Sequence, residues 1–68
     1  MGSIADMARK ARLLLLRRGA SAEDAEDLVQ EAFVRLQAYV EAHEVETPEA
    51  FLVRTAVNLS VDQNRRRR

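Results

Sequence analysis

The chain has 68 residues with no cysteine and one histidine, His43, which predicts a single domain without disulfides, a metal site or a cofactor, stabilised by packing alone. No apolar run approaches the roughly 18 residues that span a bilayer and no signal peptide is visible, so we expect a soluble, cytoplasmic protein without membrane contact. The formal net charge is zero, but residues 1–20 and 51–68 each carry five basic side chains and residues 21–50 carry nine acidic ones, which indicates surfaces of opposite sign.

The first predicted helix covers about residues 4–18. Arg17 and Arg18 place positive charge in its last turn, where the helix dipole favours cations. Gly19 follows and suits the left-handed conformation that often ends a helix. Helical spacing predicts a core face of Ile4 or Met7, followed by Ala11, Leu14 and Leu15.

The second predicted helix covers about residues 22–42. Ser21 is suited to cap it, with Asp24 three residues later as a shortened capping box. The apolar residues that recur at steps of three and four predict the core side: Ala25, Leu28, Val29, Ala32, Leu36 and Val40. A second, mostly acidic stripe follows the same period and consists of Asp27, Gln30, Glu31 and Val34.

The third predicted helix covers about residues 48–66. Thr47 and Pro48 favour a helix start, because threonine caps and proline fits a first turn that needs no amide donor. Its predicted buried side consists of Phe51, Leu52, Thr55, Ala56 and Leu59. The opposite side carries Arg54, Asn58, Val61, Asp62 and Arg65. No segment alternates with the period of a strand, so we predict an all-α fold, a compact three-helix antiparallel bundle.

Two motifs in this order carry a family resemblance. Residues 24–36 read DAEDLVQEAFVRL, and residues 48–62 read PEAFLVRTAVNLSVD, followed by a run of arginines. Together they resemble region 2 of bacterial sigma-70-type transcription initiation factors, in particular the extracytoplasmic-function group. The resemblance covers nearly the whole chain and implies a non-enzymatic factor that acts with RNA polymerase.

The resemblance implies two binding surfaces. In the family, the second helix docks on the clamp helices, a coiled coil of the polymerase beta-prime subunit. Carried over, the docking residues are Asp27, Gln30, Glu31 and Val34. The family's last helix opens promoter DNA and holds the single-stranded non-template strand of the minus-ten element. Carried over, the DNA-binding residues are Arg54, Asn58, Val61, Asp62, Arg65, Arg66, Arg67 and Arg68. Arginine supplies charge for phosphates, and asparagine can read a base edge.

Three features depart from the family. In relatives, the loop before the last helix helps to capture a flipped base, whereas the loop at residues 43–46 is acidic here and offers only His43 and Val45 for such contacts. Gln63 and Asn64 form a pair in which an apolar residue is usual at one position, so we expect a frayed last turn and Arg66–Arg68 ordered only on DNA. The family's second helical domain, which reads the minus-thirty-five element, is not within these residues, so we expect either an excised domain or a natural fragment that does not select a promoter alone.

Other functions are compatible with single features. His43 has no second histidine, cysteine or glycine-rich phosphate loop near it, which argues against an enzyme. Charged helix faces are often only solvated, so a helical protein-interaction module without DNA binding is the alternative. Anti-sigma factors commonly cover these surfaces in the family and are a further expected class of partner.

Overall fold

Three α-helices form the computed structural model of this chain, which describes residues 3–66. Helix α1 is Ile4–Arg17, α2 is Ala22–Ala42 and α3 is Pro48–Arg66. α1 ends one residue before the predicted Arg18. The described residues contain no strand, and each helix packs against the other two, which confirms the predicted all-α bundle.

Local sequence signals set the ends of α1 and α2. The Ser21 hydroxyl accepts a hydrogen bond from the Asp24 N–H at 3.0 Å, as expected of an N-cap. Gly19 has a φ of 102°, the left-handed conformation that glycine adopts without strain. Ser3 caps α1 in the same way, since its hydroxyl accepts from the Asp6 N–H at 3.1 Å.

α2 runs antiparallel to α1 and α3. Its first turn lies beside Arg18 and Asn64, near the ends of the other two helices. Its last turns lie beside Ile4 and Pro48, where those helices begin. With 21 residues, α2 is about 30 Å long, which is most of the molecule's longest dimension of 36 Å.

The core is one cluster of small and medium-sized apolar side chains. Leu15 and Leu52 are its largest fully buried members. Alanines fill much of the rest, which lets the helix backbones approach closely. The buried apolar residues are Ala11, Leu15, Ala25, Leu28, Val29, Ala32, Leu36, Leu52 and Ala56. All but one of the predicted core residues of α2 are in this set.

Three residues that the sequence pattern offered for the core lie outside it: Val40, Leu14 and Ile4, the last of them only as the alternative to Met7. Val40 is 48% exposed and Ile4 is 70% exposed, because both lie at the end of the bundle, where they line an open apolar groove. Met7, the alternative to Ile4, packs against the core instead. Leu14 is only half-buried and is outside the core cluster, whereas Leu16 packs against it.

The C-terminal turns of α3 also differ from expectation. The helix continues through Arg66, and Gln63 is half-buried, so the described structure has no frayed turn before Arg66. The DNA-dependent ordering predicted for Arg66 stays a prediction. One turn before Gln63, Ser60 is buried, although the helical pattern did not assign it to the core.

Candidate nucleic-acid and protein interfaces

The acidic stripe of α2 lies on the outside of the bundle. Its four members, Asp27, Gln30, Glu31 and Val34, are all exposed, because Leu28, Val29 and Ala32 occupy the core side of the helix. Val34 is 61% exposed, which is unusual for a branched apolar side chain. The structure therefore brings the four predicted docking residues together as one open face with an apolar residue at one end.

Glu31 is the member of this stripe with an ion-pair partner. Arg35 Nε donates to Glu31 Oε2 at 3.2 Å, one helical turn away. Both side chains are more than half exposed, and such pairs are worth only about 0.3–0.5 kcal/mol. A basic partner can therefore displace Arg35 from Glu31 at little energetic cost.

The outer face of α3 has the opposite electrostatic character. Arg54, Asn58, Asp62 and Arg65 are exposed and Val61 is half-buried. Within the described residues, neither Arg54 nor Arg65 forms an ion pair. The face therefore offers uncompensated positive charge on both sides of Asn58.

The predicted arginine tail divides at the end of the described region. Arg65 and Arg66 form the last turn of α3 and are exposed. Arg67 and Arg68 lie outside the described residues. Arg66 also lines a hollow of about 340 Å³ between α2 and α3, together with Arg35, Glu31 and Asp62. The α2 stripe and the α3 face thus meet along one edge.

A small aromatic cluster supports the loop between α2 and α3. The Tyr39 ring stacks on His43, with centroids 4.1 Å apart and planes at 13°. Phe51 lies on Tyr39 at 4.6 Å. The His43 Nδ1 is also 3.2 Å from the Tyr39 carbonyl oxygen. One face of the His43 ring is therefore occupied by Tyr39.

This cluster borders a hollow of about 320 Å³ that the sequence alone did not reveal. Its walls include Tyr39, Phe51, Val45 and Arg54, with Glu44 and Glu46 at its rim. The helical spacing of Tyr39 and His43 is visible in the sequence, but the approach of Phe51 depends on how α3 folds back on α2. The hollow adds aromatic surface and one arginine to the end of the α3 face.

Two further searches of the described residues concern metals and membranes. No three histidine, cysteine, aspartate or glutamate side chains in residues 3–66 are grouped so that they could hold a metal ion. None of the described helices is long and apolar enough to cross a membrane.

Comparison with known proteins gives one match. Residues 4–68 match the family model described as Sigma-70 region 2. The matched span includes α1, α2, α3 and both candidate surfaces. Neither a curated protein nor a solved structure gave a match.

Proposed function

Because this chain belongs to the sigma-70 region 2 family, whose members are non-enzymatic factors acting with RNA polymerase and promoter DNA in transcription initiation, we propose that it performs both tasks of that region. The stripe Asp27, Gln30, Glu31 and Val34 docks on the beta-prime clamp helices. The outer face of α3 holds the single-stranded non-template strand of the minus-ten element. We further propose that the chain is of the extracytoplasmic-function group and that an anti-sigma factor is among its partners.

One observation carries the DNA half of this proposal: Asn58 is exposed between arginines that have no acidic partner among the described residues. Arg54 and Arg65 supply charge for backbone phosphates. The Asn58 amide has both a donor and an acceptor, which a base edge requires. Asp62 repels phosphate, so its role is to accept from a base amino group or to orient an arginine. Arg66, Arg67 and Arg68 add phosphate contacts.

The hollow beside the α2–α3 loop suits an unstacked base. His43 and Phe51 already lie against the Tyr39 ring, so a base in the hollow meets only those parts of Tyr39 and Phe51 that line it. Arg54 lies at the same hollow. Base stacking on an aromatic side chain is worth about 1–3 kcal/mol. The sequence left His43 and Val45 as the loop residues able to contact a base and assigned neither. We propose that the base contacts Phe51 and the exposed part of Tyr39, with Val45 beside them in the wall of the hollow.

The polymerase half is supported by the composition of the α2 stripe. A helix face that carries acidic groups and an exposed Val34 complements a basic partner helix that also offers an apolar contact. A face that served only for solubility does not require the exposed valine. The weak Glu31–Arg35 pair leaves this face ready for a stronger basic partner.

The DNA half is tested with fluorescent single-stranded oligonucleotides that vary one base at a time across a minus-ten sequence. We expect wild-type affinity to fall as salt rises, with a difference between the best and worst bases of about tenfold or more. Asn58→Ala should reduce that difference while leaving the salt slope unchanged, because it removes a neutral group. Gln37→Ala, an exposed amide on α2, is the matched control and should behave as wild type.

Failure to bind any oligonucleotide at low salt, with helical circular dichroism intact, would favour the alternative, a helical protein-interaction module. Equal loss of affinity for every base in Asn58→Ala would also contradict base reading by this residue.

A further inference from the structure

A polar cavity of about 210 Å³ lies where α1 ends and α2 begins. Its walls include Arg18, the first turn of α2, and Ser60, Gln63 and Asn64 from the last turns of α3. None of these residues belongs to the α2 stripe or to the α3 outer face. Since a water molecule takes about 30 Å³ in the liquid, the cavity has room for a group as large as a phosphate.

Ser60 places an unpartnered hydroxyl at this cavity. Only 7% of its surface is exposed, and it is the one polar residue among those described that is buried. Its hydroxyl forms no hydrogen bond in the described structure. Among the described residues, every fully buried polar side-chain atom has a hydrogen-bond partner. Because the Ser60 oxygen has no partner, it cannot be fully buried. The cavity that Ser60 lines is where this oxygen is accessible. An unpaired polar group in such a place is costly unless a ligand or water pairs with it.

The start of α2 borders the same cavity through Ser21 and Asp24. Ser21 satisfies two backbone donors there, since its carbonyl accepts from the Ala25 N–H at 2.8 Å and its hydroxyl from the Asp24 N–H at 3.0 Å. The N–H groups of Ala22 and Glu23 have no acceptor among the described residues; these two residues do not line the cavity, so they act on it only through the charge at the start of the helix. A helix N-terminus carries a partial positive charge of about half a unit, which favours an anion.

Arg18 supplies a full positive charge. Its side chain is exposed and forms no ion pair within the described residues. The amides of Gln63 and Asn64 add two more donor groups. A guanidinium, a hydroxyl, two amides and a helix N-terminus around one small cavity form a donor set for an oxyanion.

We propose that this cavity binds one phosphodiester group of a nucleic-acid backbone. Asp24 also lines the cavity, and a carboxylate repels a dianionic phosphate more than a monoanionic diester. Asn64 adjoins Arg65, the last member of the α3 face, so a strand that leaves this face at the end of the bundle reaches the cavity next. That the diester belongs to a nucleic acid rests on the proposed function. The preference for a diester over inorganic phosphate rests instead on Asp24 at the cavity.

The first test measures oligonucleotide binding by the 68-residue chain across a salt series. Arg18→Gln should weaken binding about fivefold at low salt and lower the slope of log affinity against log salt by about 0.7, the contribution of one phosphate contact on a single strand. Ser60→Ala should weaken binding about threefold without changing the slope, because a hydroxyl is neutral. Arg17→Gln removes the same charge from the neighbouring exposed residue, outside the cavity, and should change the slope by less than half as much.

The second test separates this site from the DNA function. In an amide NMR titration, dimethyl phosphate should shift the resonances of the lining residues Ser21 and Ser60 with saturation, more strongly than inorganic phosphate does, and Arg18→Gln should abolish the shifts. If wild-type protein binds no oligonucleotide, the proposed function is wrong. If dimethyl phosphate still saturates the shifts in that case, the cavity is a diester site that does not serve nucleic-acid binding. The proposed site is wrong if Arg17→Gln and Arg18→Gln change the salt slope equally. It is also wrong if dimethyl phosphate and inorganic phosphate give the same shifts without saturation.

Discussion

The outer faces of α2 and α3 cover the same core but differ in how their charges are compensated. On α2, acidic residues share one face with the exposed Val34, and Glu31 is already paired with Arg35. On α3, Arg54 and Arg65 have no ionic partner among the described residues. The first face therefore suits a partner that provides basic charge and apolar contact together. The second suits a polyanion, for which affinity depends strongly on salt.

Both faces depend on the core, so the largest expected effect comes from Leu15. It is completely buried, and replacing such a leucine with alanine typically costs about 3–5 kcal/mol. A domain of this size has little more stability than that. We expect Leu15→Ala to unfold at much lower urea concentration and to lose both binding activities together. The control is Leu13→Ala, the same change at a residue that is 47% exposed.

If Leu15→Ala and Leu13→Ala had the same urea midpoint, the assignment of Leu15 to a shared core would be wrong. Retention of one binding activity alone in an unfolded Leu15→Ala protein would show that the two faces do not depend on a common scaffold.

A smaller effect should separate the two faces from each other. Glu31→Arg reverses a charge in the middle of the α2 stripe and places it beside Arg35. We expect recovery of a clamp-helix fragment in a pull-down to fall about tenfold or more, because like charges now oppose a basic partner. Strand binding should be unchanged or slightly stronger. Gln30→Ala, which only shortens a neighbouring side chain, should weaken the pull-down less.

Recovery of the fragment by Glu31→Arg at the wild-type level, with circular dichroism unchanged, would remove the α2 stripe from the proposed interface. The difference between the two faces would then have no consequence for polymerase binding.

The local features of this fold are predictable from the sequence. Ser21, Gly19 and Pro48 set helix ends through short-range hydrogen bonding and backbone geometry, so a single sequence contains the necessary information. The same holds for the exposed sides of α2 and α3, since a helix of known period with a clear core side leaves its outer side determined. The functional roles of those exposed residues came from family resemblance and stay predictions.

Features that depend on neighbouring helices were not predictable. Val40 follows the core period of α2, but no helix covers it at that end of the bundle. Ser60 is of a residue type usually found at the surface, yet it is buried beside the cavity between the last turns of α3 and the start of α2. The contact of Phe51 with Tyr39 likewise depends on the path of the connecting loop. A periodic pattern predicts which side of its helix a residue lies on. It does not predict whether a neighbouring helix is long enough to cover that residue.

The smallest expected effect tests whether charge compensation itself distinguishes the two faces. Arg35→Gln removes the partner of Glu31 while keeping a long polar side chain. Stability should change by less than about 0.5 kcal/mol, since an exposed pair one turn apart contributes little. The clamp-helix fragment should bind about twofold more tightly, because its basic groups no longer have to displace Arg35 from Glu31. Isothermal titration at two salt concentrations measures this gain, which should shrink at high salt. Weaker binding of the fragment by Arg35→Gln would mean that Arg35 itself contacts the partner, and that the α2 face is not purely acidic in its recognition.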